Sequence, residues 1–477
     1  MTVLRCYIFI LFAGWLLLAA PPARSQELPA EGLQPEELQA EEPASFLLET
    51  ITVEGAQPAA AHIVRAESLL EEGRTYTEEE LRQAVYRIQR LPIVLETSFA
   101  LRKGGTRGAY ELVIQVRQAR RFFYEHGARV SFFRSDLALN EIRGEETTFG
   151  ASGLVGLRQF VGRTGVLVGA LDTARGAQVG YSQYDLFGRG IVASVAYSWI
   201  PNVTEVLSYG LDPGFIAWDV DEQNRLTFNL AVPLDASQSF QLGFSDRRGD
   251  TGQRRRILEP DLTESLRPEG SLRADELAEQ RLVARWVYDT SDDPLLPTRG
   301  LSLSGGIEAA SLTLRGLERF RFVQDASGFR DELIPQPDYE AETVSAVFTA
   351  ARHWPVTPRQ TVSVSGRASA GRSWLENAQI PGDPVAFVQE DLDVNVYGLS
   401  AGVRHAVRLW SGRQPRGFGD LSLESAVEAG RETTSPDLSL ATTPLTRLEV
   451  STGLVFRHQW GVLRFHLAYL DFREDER

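Results

Sequence analysis

The sequence predicts a mainly β protein: a transmembrane antiparallel β-barrel of about 16 strands preceded by one small α/β domain. Three observations predict it. The N-terminus reads as an export leader, a stretch of about 75 residues mixes helical and strand periodicity, and from Phe122 onward the chain alternates apolar and polar residues in segments of about ten.

The leader is MTVLRCYIFILFAGWLLLAAPPARSQ, in which one Arg precedes an apolar run from Cys6 to Ala20. At about 15 residues the run is shorter than the roughly 20 of a spanning helix, and Ala23-Arg24-Ser25 suits cleavage, so residues 1–25 are expected to be a signal peptide. Cys6 is the single cysteine, so no disulfide is expected in the mature chain. Residues 26–45, acidic and with three Pro, read as an extended linker. A net charge of -15 argues against nucleic acid as a partner, because phosphate backbones attract basic faces.

Residues 46–118 read as the α/β domain, in the order β-α-α-β-β. FLLETITVEG is strand-like, and a helix starts at Pro58. A second helix starts at the capping box Thr77-x-x-Glu80 and ends at Pro92. Two closing strands follow, the last being AYELVIQVRQ, where Tyr110, Leu112, Ile114 and Val116 alternate with Glu111 and Gln115. These four residues are the candidate edge for pairing with an extended client segment through main-chain hydrogen bonds.

Residues 119–477 read as the barrel. Leu226, Phe228, Leu230 and Val232 would face outward in one strand, Phe240, Leu242 and Phe244 in another, and Leu463, Phe465, Leu467 and Tyr469 near the end. Arg367, Glu424, Glu428 and Arg464 fall on the opposite face, which a wet lumen accepts and a sandwich core does not. The number of strands is expected to be even, and YDTSDDPLLPTRG to be a tight turn between two of them. Arg254, Arg255 and Arg256 sit in a polar stretch, 246–278, expected as an outer loop.

Patterns that would signal enzyme chemistry fail on context. Gly188 to Ala193 fits G-x-G-x-x-A but opens a strand, so no helix N-terminus is there for a pyrophosphate. Gly398 to Gly402 fits G-x-S-x-G, again inside an alternating run. The six His show no ligand spacing. Neither catalysis, nor a metal, nor a cofactor is expected.

YDTSDDPLLPTRG, with Asp289, Pro297, Thr298 and Gly300, resembles a turn that opens a late strand in the outer-membrane assembly and translocation barrels of the BamA/TamA type. YSQYDLFGRGIVASVAYSW is similar to an early hairpin of the same barrels, through Asp185, Phe187, Gly188 and Gly190. The unit from 46 to 118 resembles the POTRA domains that precede them. Residues 372–398 lack the Arg-Gly-Phe or Arg-Gly-Tyr element of that family, and Arg416-Gly417-Phe418 lies one strand later. The resemblance implies an accessory factor of the bacterial outer membrane, its N-terminal domain in the periplasm. It would insert or export unfolded or extended client proteins, with outer-membrane lipid as its other partner. A two-partner-type secretion pore for one exoprotein and a passive channel are the alternatives.

Overall fold

The computed structural model describes residues 44–136, 143–173, 176–207, 216–256, 272–273, 275–316, 318–325, 328–335, 337–381, 387–414, 417–436 and 445–474. The proposed signal peptide and all but the end of the proposed linker lie outside them.

The α/β domain holds β1 (Ser45–Glu54), α1 (Pro58–Glu67), β2 (Thr75–Thr77), α2 (Glu78–Gln89), β3 (Val94–Lys103) and β4 (Ala109–Gln118). Helix α2 starts where the capping box places it: the Glu80 amide donates to Thr77 Oγ1 at 3.3 Å and the Thr77 amide to Glu80 Oε2 at 2.7 Å. Thr75, Tyr76 and the cap residue Thr77 itself pair with β1 as a strand that local periodicity does not reveal. The sheet order is β2-β1-β4-β3, with β1 and β4 parallel. Both helices cover one face, burying Ile63, Val64, Leu81 and Ile88 against Leu48, Ile51, Leu112 and Ile114. The same cluster reaches Val166 and Tyr184 of the barrel, so the domain is packed against the wall.

Among the described residues fifteen strands form the closed barrel. They are β5 (Phe122–Asp136), β6 (Arg143–Val161), β7 (Gly165–Asp172), β8 (Gly176–Leu186), β9 (Ile191–Leu207), β10 (Ile216–Pro233), β11 (Gln238–Arg256), β13 (Glu276–Asp289), β14 (Gly300–Arg315), β17 (Tyr339–Thr357), β18 (Gln360–Pro381), β19 (Phe387–Gln414), β20 (Gly417–Pro436), β21 (Leu445–His458) and β22 (Gly461–Glu474). Three short strands, β12 (Leu272–Arg273), β15 (Glu318–Asp325) and β16 (Gly328–Pro335), form a ladder beside them at the rim far from the α/β domain.

Two expectations need correction. The wall is odd-numbered, so its first and last strands run the same way and the barrel closes through a parallel β22–β5 ladder, from Gly461↔Tyr124 to Phe472↔Ser135. The stretch 246–278 is also not all loop: 246–256 extend β11 and 276–278 belong to β13.

The outer face carries the alternating set. Phe228, Phe240, Leu242, Phe244, Leu463, Phe465, Leu467 and Tyr469 are all exposed, as a lipid-facing band requires. Aromatic pairs collar the rim nearest the domain: Trp286 with Tyr288, Trp410 with Phe456, and Phe122 with Trp460, the centroids 6.3 to 6.5 Å apart. The inner face carries the charges. Glu424 is buried against Arg404, Glu279 joins Arg247 at 2.9 Å and Arg281 at 2.7 Å, and Arg281 reaches Glu308 at 3.0 Å.

Candidate functional site

Three structures meet at the domain-side rim: the turn 187–190, the loop 290–299 and the closing seam. The turn takes the shape its residues dictate. Asp185, Phe187, Gly188 and Gly190 all have positive φ, between 57° and 68°. Asp visits that region because its short carboxylate hydrogen-bonds locally, here accepting from the Gly190 amide at 3.0 Å. Phe187 has no such help and carries strain, its side chain largely exposed. Gly190 faces the domain: a β-carbon there would stand 2.6 Å from Cδ2 of Leu69, in the segment after α1.

Loop 290–299 is no tight turn. The other fully described turns on this rim, 162–164, 187–190, 234–237, 358–359 and 459–460, hold two to four residues, whereas this one holds ten. Asp289 accepts from the Ser291 amide at 2.9 Å and pairs with Arg90 of the domain at 3.0 Å. Arg90 also donates to the Asp289 carbonyl at 2.6 Å. Asp292 gathers the amides of Thr298, at 2.8 Å, and Arg299, at 3.2 Å, which folds the loop onto itself. Asp293 accepts from the amides of Leu295 and Leu296 at 2.8 and 3.0 Å, then takes Arg457 of β21 at 2.7 Å.

That last contact places the loop. Arg457 belongs to the lumen face, its side chain is 10% exposed, and its other nitrogen lies 3.7 Å from Asp420 of β20. Leu296 is buried, and with Pro297 and Thr298 it sits among Thr361, Ser363, Arg404 and Ser422 on three inner strands. The loop therefore crosses the barrel mouth from the β13–β14 side to the β20–β21 side. Arg299 returns to the domain, donating to the Tyr86 hydroxyl with its guanidinium 5.6 Å from the ring centroid.

Burial shapes the charges on the domain side. It lowers the pKa of Arg90, with Asp289 pulling the other way. Tyr86 is pushed up by burial against the opposing pull of Arg299. Glu67 is pushed up by burial while Arg87, 2.8 Å away, opposes the shift and ties α1 to α2.

The seam has its own fastenings. The Tyr124 amide donates to the Trp460 carbonyl at 2.8 Å, and Gly461 lies so close to the Tyr124 carbonyl that a β-carbon would overlap it. Inside, Arg129 of β5 reaches past β22 to Glu449 of β21 at 3.0 Å, so a guanidinium straps the seam from the lumen.

The remaining candidates are placed differently from the sequence reading. Tyr110, Leu112, Ile114 and Val116 are on an inner strand: β4 pairs with β1 on one side and β3 on the other, so it offers no edge. Leu112, Ile114 and Val116 form core instead. The signal was present, since Val113 is also wholly buried, and an unbroken Leu-Val-Ile run marks a strand covered on both faces. The open long edge belongs to β3. Of the turn residues, Asp289 meets the domain through Arg90 and Gly190 lies against Leu69, whereas Pro297 and Thr298 sit in the mouth against the barrel wall, Gly300 packs on the root of its own loop, and Phe187 is exposed. Arg90, Asp293 and Arg457 were missed, and only the length of the loop pointed to them.

No protein-family profile matches the sequence, and neither does any curated protein. Solved structures do match. BamA from Haemophilus ducreyi lacking POTRA domains 1–3 is similar at 10% identity and a TM-score of 0.37, over 89% of this chain and 84% of that one. CdiB from Acinetobacter baumannii follows at 7% and 0.34, over 89% and 74%. The ferric-catecholate import receptor Fiu from E. coli K12 stands at 8% and 0.29, over 87% and 74%. By its own strand pairing the chain is a closed barrel carrying a small α/β domain.

Proposed function

We propose that the chain is an assembly or translocation factor of the bacterial outer membrane, which receives extended client proteins at its periplasmic rim. In this reading the α/β domain acts as a POTRA domain, and no catalytic chemistry is involved. The observation that carries it is the occupied mouth: loop 290–299 crosses the lumen and is fastened to the domain by Arg90 and to the wall by Arg457. A client arriving at this rim meets a domain edge and a seam before it meets a channel. The domain edge is β3, Val94–Lys103, which among the described residues has no strand partner on its side away from β4; Gln89 caps Leu95 and Thr97 there, and the stretch beyond them suits strand addition. A passive channel would gain nothing from either feature.

A two-partner secretion pore is the second reading. It is favoured by the lumen charges Arg129, Arg247, Arg281 and Arg404, which suit passage of an unfolded chain once the loop moves aside.

Locking the seam separates the two. Ser131 and Ala468 are Cα partners across it, both buried, and Cys6 is the single native cysteine. With Ser131→Cys and Ala468→Cys oxidised, an assembly factor working at the seam should lose folded, heat-modifiable outer-membrane proteins from the membrane fraction, and regain them on reduction. Undiminished levels in the locked state, with exoprotein still reaching the medium, would favour the pore.

A further inference from the structure

We infer that the foot of the seam is a binding site for the phosphate of a membrane lipid headgroup. The site is a cleft of about 880 Å³ where the linker from β4 to β5 passes the β21–β22 turn. Arg117, Arg120 and Arg121 line it, with Gln118, Gln459 and Trp460. No carboxylate lines it, in a chain whose net charge is -15. Arg120 and Arg121 are exposed, and neither forms an ion pair among the described residues.

Position selects the source of the phosphate. Trp460 and Phe122 meet edge to face at 6.5 Å and belong to the aromatic collar, the level at which headgroups lie. The Arg120 guanidinium stands 5.5 Å from the centroid of the Trp460 ring, which holds the cation at that level with its N–H fork available to an oxyanion. Arg121 donates to Gln57 of the domain at 3.4 Å, a long bond that a phosphate oxygen would displace without leaving a buried orphan. A lipid so held would touch the domain, the start of β5 and the turn before β22 together. The proposal needs only the membrane placement of the barrel and stands whichever way the client question is decided.

The test uses the purified full-length protein in mild detergent, with phosphatidylglycerol as the probe, read by native mass spectrometry. Wild type is expected to retain one tightly held phosphatidylglycerol, and Arg120→Gln with Arg121→Gln to lose it at least tenfold more readily. Arg120→Lys with Arg121→Lys should restore part of the retention, and Arg102→Gln, on β3 and paired with Glu54, should leave it unchanged. Heat-modified gel mobility shows that each variant is folded. Equal retention by wild type and the Gln pair would overturn the proposal. So would loss of the lipid from wild type on adding millimolar inorganic phosphate, since the site would then take a free anion.

Discussion

At the scale of single residues, the rim is set by positions where the backbone leaves no choice. Gly300 has φ 115°, and a β-carbon there would lie 2.5 Å from the Thr290 carbonyl oxygen and 2.7 Å from the Ser291 Cα. Both neighbours are backbone and cannot swing away, so Gly300→Val should displace the root of the loop and lower the folded, heat-modifiable fraction severalfold. Removal of residues 260–266 should leave that fraction near wild type on the same gel. Glu67 provides a second test. Its pKa is raised in the fold, so the stability it contributes is present below its ordinary value near 4.5 and lost as pH rises through the raised value. Arg87→Met removes the partner that offsets burial and should cost the domain about 3 kcal/mol at neutral pH. Limited proteolysis of the intact protein should show α1 and α2 of this variant cut faster at pH 7.5 than at pH 5, by a wider margin than in wild type.

At the scale of elements, what was legible followed from local period, and what was not depended on partners distant in sequence. Leu226 to Val232 and Leu463 to Tyr469 face outward because alternation is a property of one strand read alone. The same reading placed β4 at an edge, because pairing with β1 is decided about 60 residues away, although Val113 recorded that both faces are covered. Loop 290–299 shows the same limit. Its two Asp and Asp289 just before it were legible as turn formers, and Asp289 and Asp293 do form Asx turns, but Asp293 also meets Arg457 and that contact makes the turn a bar across the mouth. Arg457→Gln would leave Asp293 and Asp420 as buried carboxylates without their counter-ion and should release the loop. Single-channel conductance in a planar bilayer should then rise severalfold over wild type. Equal conductance would mean that the loop does not obstruct the lumen.

At the scale of the whole molecule, the odd wall decides how the barrel closes. An even barrel brings its first and last strands together antiparallel, whereas here β5 and β22 run the same way over twelve partner pairs. Length does not make this seam the weak point, since β6–β7 and β7–β8 have eight partner pairs each. Its distinction is that a parallel ladder is slightly less stable per residue and that it joins the two ends of the wall, so it can part without breaking a hairpin. The register is directly testable, because a slip by one residue would turn every side chain of β22 to the other face. In detergent, with no client present, Ser131→Cys should cross-link to Ala468→Cys on mild oxidation, while Ser131→Cys with Leu467→Cys, one residue off and on the lipid face, should not. The cross-linked chain, boiled in denaturant without reductant, stays looped and should migrate apart from the reduced chain. Cross-linking of the Leu467 pair in preference to the Ala468 pair would show that the seam closes in another register, and with it would go the Arg129–Glu449 strap that spans it.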